Sequence, residues 1–192
     1  MDRLKLLKAA YEAIQWDQLY ELAPEATRQE VDELFQDLRR LLGPRPQEDL
    51  AEEVVGGTAV LRCDGASKGN PGPAGIGCVI ETAEGREVAA WGRPIGRATN
   101  NVAEYRAAVA ALRKALQLGV RKVRLRADSQ LMVRQINGRY RVKSAGLKPL
   151  HAEVMELLGR FEDYDVAHVS RDENARADEL ADRAARRAAK EG

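Results

Sequence analysis

Four carboxylates, Asp64, Glu104, Asp128 and Asp178, stand where an acid contributes little to folding. Asp64 closes the apolar run Thr58-Ala-Val-Leu-Arg-Cys-Asp64, and Asp128 closes Lys122-Val-Arg-Leu-Arg-Ala-Asp128. Glu104 and Asp178 fall in the first turns of two alanine-rich helical patterns. Acids brought together repel by several kcal/mol unless a cation sits among them. Convergence of the four therefore points to a divalent metal, and an all-oxygen ligand set points to Mg²⁺ or Mn²⁺.

Each acid alone has a plainer explanation. The aspartates could be polar strand ends entering turns. Glu104 and Asp178 could favour a helix N-terminus, worth about 0.3–1 kcal/mol. Two features go further. Glu104 aligns with Ala108, Ala111 and Ala115 at helical spacing, so it heads a stripe of small residues fit for close packing. Asp178 shares a face with Ala181 and Ala185, with Asn174 expected as the helix cap.

Two loops accompany the acids. In Asp64-Gly-Ala-Ser-Lys-Gly-Asn-Pro-Gly72, Gly65 and its fellow glycines permit close backbone approach. Ser67, Lys68 and Asn70 there can bond phosphate or sugar, and the alternative is an ordinary hairpin turn. Thr99-Asn100-Asn101 precedes Glu104. The asparagines either cap the helix or read a 2′-hydroxyl, which is both donor and acceptor. Gln130, just after Asp128-Ser129, could add to that readout.

These residues need a scaffold. Strands are expected at 58–64, 75–82, 86–93, 121–127 and 164–170, with Gly65 to Gly77 as a Gly/Pro-rich loop. Helices are expected at 102–118, 129–137, 147–161 and 175–189. The order β-β-β-α-β-α-α-β-α implies an antiparallel meander extended by parallel strands through right-handed crossovers. The fold class is α/β, one mixed five-stranded sheet flanked by helices. The Asp64 and Asp128 strands can lie side by side, with their acids as neighbours at the strand ends.

Upstream, residues 1–45 read as a small all-α domain and 46–57 as an acidic linker, leaving 58–192 as the catalytic domain. Leu4, Leu7, Tyr11 and Ile14 suggest a helix over 2–22. Thr27 and Glu30 have capping-box spacing ahead of a second, stopped by Gly43-Pro44-Arg-Pro46. Residues 1–50 carry 7 Lys/Arg and 11 Asp/Glu, net −4, which leaves 24 and 19, net +5, for residues 51–192. A nucleic-acid contact belongs to the second part. Self-association or another protein contact suits residues 1–45.

The bulk composition excludes several classes. No apolar run reaches the ~18 residues of a membrane span. The charged N-terminus is a poor secretion signal. Cys63 and Cys78, the two cysteines, suggest free thiols in a cytoplasmic protein rather than a disulfide framework or zinc site.

Taken together, residues 58–190 resemble a type 1 ribonuclease H. The matching stretches are Asp64-Gly-x-Ser-x-Gly-Asn-Pro-Gly72, Thr99-Asn-Asn-x-Ala-Glu104, Ala127-Asp-Ser-Gln130 and Asn174-x-Arg-Ala-Asp-Glu-Leu-Ala181. The resemblance implies a ribonuclease H-like fold and an endonuclease that hydrolyses the RNA strand of RNA/DNA hybrids, leaving 5′-phosphate and 3′-hydroxyl ends. It implies two Mg²⁺ ions, with Mn²⁺ as a substitute, held by Asp64, Glu104, Asp128 and Asp178. Asn70, Asn100, Asn101 and Gln130 fall on substrate-contacting positions. Arg97 and Thr99 fall where the family grips a phosphate of the DNA strand. The other readings are a nuclease of the same fold acting on double-stranded RNA and a catalytically silent binding module.

Three departures stand out. The loop before the last helix, Ser170-Arg171-Asp172-Glu173, lacks the histidine of well-known bacterial members. Arg171 there resembles the archaeal-like branch, and it either assists product departure, grips phosphate or is a surface arginine. His168 reads as structural. The tryptophan-bearing basic handle is missing, and residues 138–150 offer only Arg139, Tyr140, Arg141, Lys143 and Lys148 in its place. Residues 1–45 do not resemble the hybrid-binding domain found on some relatives.

Overall fold

The computed structural model describes residues 57–191 and, before them, residues 10–11, 13–15, 18–19, 23 and 26–42. The chain divides into two compact units, Met1–Asp49 and Leu50–Gly192. In the first, helix α1 spans Arg28–Leu42. Its start is a reciprocal capping box. The Thr27 N–H donates to Glu30 Oε2 at 2.8 Å, and the Glu30 N–H donates to Thr27 Oγ1 at 3.3 Å. The helix expected over 2–22 and the linker at 46–57 lie mostly outside the described residues.

The second unit is a five-stranded sheet. Its strands are β1 (Thr58–Ser67), β2 (Gly72–Thr82), β3 (Glu87–Ala98), β4 (Lys122–Ala127) and β5 (Asp163–His168), in the order β3-β2-β1-β4-β5. β1, β2 and β3 pair antiparallel, and β4 and β5 add in parallel. The helices are α2 (Asn100–Gln117), α3 (Gln130–Ile136), α4 (Lys148–Leu158) and α5 (Ala175–Glu191). None of the described helices is long and apolar enough to cross a membrane.

Small residues set how closely the helices approach. Gly65 and Ile76 are register partners and share the face that carries α2. A Cβ on Gly65 would lie 2.1 Å from the Glu104 nitrogen. Gly77 points to the opposite face, where a Cβ would lie 2.0 Å from the Ala177 carbonyl oxygen in α5. Ala177, Ala181 and Ala185, all fully buried, complete that contact from the helix side. Between sheet and α2 the core holds Leu61, Ile76, Ile80, Leu112 and Leu125.

The stretch from Gly65 to Gly77, expected as a loop, is mostly strand. β1 continues to Ser67 and β2 begins at Gly72. Gly65, Gly75 and Gly77 serve helix approach, whereas Gly69 (φ +108) and Gly72 belong to the tight turn that joins the two strands. β3 likewise runs five residues beyond the expected end at 93. It is an edge strand with a register shift at Ala74/Gly75 that skips Ile95. Edge position and bulge are the settings in which Pro94 is tolerated.

Candidate active site

β1 outruns β4. Their last register pair is Arg62 with Arg126, so Asp64 and Asp128 follow in adjacent positions as β4 ends. Glu104 comes from α2, which begins two residues earlier than expected because Thr99 is its cap, accepting the Val102 N–H at 3.3 Å. Glu104 thus sits in the second turn rather than the first. Carboxylate oxygens of Asp64, Glu104 and Asp128 lie within 4.8 Å of one another. Asp64 is 5% and Glu104 6% exposed.

Such a cluster is electrostatically uncomfortable. Burial, then Asp128 and Asp178, push the Asp64 carboxyl up to about 7. Burial, then Asp64 and Asp128, raise Glu104 well above the carboxylate range. The backbone N–H of Gly65 opposes both shifts. Glu104 Oε2 is buried with no hydrogen-bond partner. A buried, unpartnered carboxylate oxygen facing two further carboxylates fits a hard divalent cation.

The sign of the linkage follows. Asp64 binds its proton more tightly folded than unfolded, so its contribution to stability is complete below the unfolded pKa of about 3.9 and is lost as pH rises through about 7. The metal-free protein is expected to lose melting temperature between pH 5 and pH 8. A thermal-denaturation series in EDTA that stays flat across that window would contradict this origin of the shift.

Asp178 lies outside the trio. It is half-buried on α5 and accepts two bonds from Arg171, from Nη2 at 2.7 Å and Nε at 3.2 Å. Its charge still reaches Asp64. The arginine of the departing loop is therefore an ion-pair partner of the fourth acid. His168 lies exposed at the end of β5.

Asn174 carries more than the cap expected of it. Its carbonyl accepts the Asp178 N–H, as an N-cap residue's does. Its side chain, fully buried, turns inward, and Nδ2 donates to Asp128 Oδ1 at 2.9 Å and to the Cys63 carbonyl at 3.0 Å. One amide thus ties β1, the end of β4 and the start of α5 together. The sequence offered a signal for this, an Asn four residues before Asp178, but capping chemistry accounted for it without a second role.

The other candidates fall in two groups. Asn70, Asn100 and Arg97 meet at one rim: the Asn100 N–H donates to Asn70 Oδ1 at 3.2 Å and Arg97 Nη2 to the Pro71 carbonyl at 3.3 Å. Asn101 and Gln130 are exposed at the starts of α2 and α3. Ser67 instead turns its hydroxyl to protein, donating to the Ala98 carbonyl at 2.8 Å. Gly65 is buried and spaces α2 from β1. Lys68 pairs with Asp182.

Comparison with known proteins agrees with this geometry. Residues 62–184 match the family described as reverse transcriptase-like. A ribonuclease HI of Halobacterium salinarum is 45% identical over 129 residues, covering 67% of this chain and 65% of that relative. The chain thus spans just under two-thirds of that protein. The crystal structure of RNase H1 from Halobacterium salinarum is similar with a TM-score of 0.66 at 44% identity, over 67% of this chain and 97% of that one. LC11-RNase H1, solved in complex with an RNA/DNA hybrid, gives a TM-score of 0.65 at 39% identity over 68% and 98%. Fold, acid cluster and likeness coincide on the same residues, and the chain belongs to the reverse transcriptase-like family of ribonuclease H domains.

Proposed function

We propose that this chain is an endoribonuclease that hydrolyses the RNA strand of RNA/DNA hybrids, leaving 5′-phosphate and 3′-hydroxyl ends. The observation that carries the reading is the trio Asp64, Glu104 and Asp128, the first two buried and the third half-buried, with its unpartnered Glu104 oxygen. Kinship with a protein solved on an RNA/DNA hybrid supports the substrate class.

Asp64, Glu104 and Asp128, with Asp178 at the rim, would hold two Mg²⁺ or Mn²⁺ ions. Bound there, such ions supply Lewis-acid activation of water and neutralise charge on the leaving oxygen. The protein's part is placement. Asn174 fixes the carboxylate plane of Asp128, and Arg171 holds Asp178 at the mouth. Thr99 and the Asn70–Asn100 bond set the rim where Arg97 meets backbone phosphate, and Asn100, Asn101 and Gln130 offer donors and acceptors to the sugar edge. No side chain is needed as a covalent nucleophile.

Asn174→Ala removes the donor that orients Asp128. Partners of metal-binding groups typically account for ~10–100-fold in affinity or activity. We expect a loss of that size in kcat, with hybrid affinity unchanged. An unaltered kcat would show that Asp128 needs no such support.

The substrate assignment is tested with an end-labelled RNA strand presented in a hybrid, in double-stranded RNA and as an RNA single strand, with Mg²⁺ or EDTA. Cutting confined to the hybrid, and absent in EDTA, is the expected result. Equal cutting of double-stranded RNA would overturn the hybrid assignment.

A further inference from the structure

On the α2 face of the sheet, away from the acids, lies a groove of about 660 Å³. Its volume falls within the ~300–1,000 Å³ typical of ligand clefts. Trp91 and Ile95 of β3 and Leu150 of α4 form its apolar lining. Arg93, Arg106 and Lys114 stand around that lining. Trp91 is only partly buried, and packs one side against the core. Arg106 is held in place by donating to the Ile95 carbonyl at 3.2 Å. Arg113 also lines the groove but is bridged to Glu153 at 2.6 Å, and Glu153 is the one acid of the lining. Arg93 and Lys114 form no ion pair with any described residue. The lining runs along α2 from Arg106, two residues after Glu104 but about 200° around the helix from it, to Gln117, and it includes none of the four acids.

An accessible indole flanked by unpaired cations matches one ligand chemistry well. A nucleobase stacks on the ring while its phosphates meet the cations, a combination that holds single strands without reading sequence. We propose that this groove is a second nucleic-acid site, which binds a short single-stranded segment by stacking a base on Trp91 and seating phosphates on Arg93, Arg106 and Lys114. The site does not depend on hybrid cleavage. It would give the protein a hold on unpaired nucleic acid beside a duplex.

The test uses the full chain in EDTA, carrying Trp16→Phe so that Trp91 is the remaining tryptophan. A thymidine octanucleotide is titrated while indole emission is recorded at several salt concentrations. Saturable quenching is expected. R93A/K114A should weaken binding roughly tenfold at low salt and reduce the slope of log affinity against log salt by about 1.4, the share of two phosphate contacts on a single strand. R93K/K114R, which keeps both charges, should retain the slope and shows that the alanine effect is electrostatic. Unquenched emission, an unchanged slope in R93A/K114A, or equal displacement of the octanucleotide by polyglutamate at matched charge would each overturn the proposal; the last would mark the groove as a site for acidic peptide.

Discussion

Asp64→Asn is expected to stop divalent-dependent hydrolysis and, in the same protein, to raise the melting temperature of the metal-free form. Both effects come from one buried charge. Burial, Asp128 and Asp178 hold the Asp64 carboxyl at about 7 against an unfolded value near 3.9. At pH 8 the folded state must therefore keep ionised a group it prefers protonated, at a cost on the order of 4 kcal/mol. Asparagine has the same shape and no charge. Its melting temperature in EDTA should exceed that of the parent by roughly 10 °C at pH 8, and the difference should vanish toward about pH 3, below the unfolded pKa, where the parent carboxyl is protonated in both states. Cleavage should fall on the order of 10³-fold or more, since charge stabilisation lost at a reacting phosphate is of that size. A variant cutting hybrid within tenfold of the parent rate would remove Asp64 from the catalytic set.

Gly65→Ala is expected to damage the same site through packing. The added Cβ would meet the Glu104 nitrogen at 2.1 Å and the Ala103 carbonyl carbon at 2.2 Å, both backbone atoms of α2. No rotamer relieves that contact, so the helix must move by about an ångström or the strand must bend. Overpacking against a side chain costs about 1–3 kcal/mol; against a helix backbone the cost lies at or above the upper end. In any protein that still folds, Glu104 shifts with its helix, and a misplacement of ~1 Å costs about 10²-fold in rate. Gly85→Ala is the control. Gly85 has φ +84 with nothing within 4 Å of the added methyl, so it should lose only ~1–2 kcal/mol from the left-handed backbone and leave activity intact. Equal effects at the two positions, read by denaturant titration and initial rates, would contradict the packing account.

The contrast between those glycines also shows what was legible in the sequence. The acids could be found because a carboxylate at the end of an apolar strand, or at the head of an alanine stripe, has an electrostatic cost visible in residue type alone. The antiparallel meander and its parallel additions followed from element order and crossover handedness. The reach of β1 to Ser67 and β3 to Ala98 did not, because Gly and Pro carry the same letters whether they turn a chain or admit a helix. Only tertiary contact distinguishes Gly77 beneath α5 from Gly85 in a turn. The second role of Asn174 was hidden for a similar reason. An N-cap position explained the residue locally, and its inward bond to Asp128 spans 46 residues. Arg171 was recognised as a departure, but its pairing with Asp178 depends on how the preceding loop folds back.

A divalent ion bound among Asp64, Glu104 and Asp128 would offset their mutual repulsion and so stabilise the folded protein. Thermal denaturation of the full chain at pH 8, titrated with Mg²⁺ after exhaustive EDTA treatment and beside Asp64→Asn and Glu104→Gln, measures this most directly. Ligand linkage predicts a melting temperature that climbs with Mg²⁺ concentration, by about 2.7 kcal/mol of stability at a hundredfold excess over Kd, with the rise much reduced in both variants. A parent protein indifferent to millimolar Mg²⁺, or variants that respond as strongly as the parent, would contradict it.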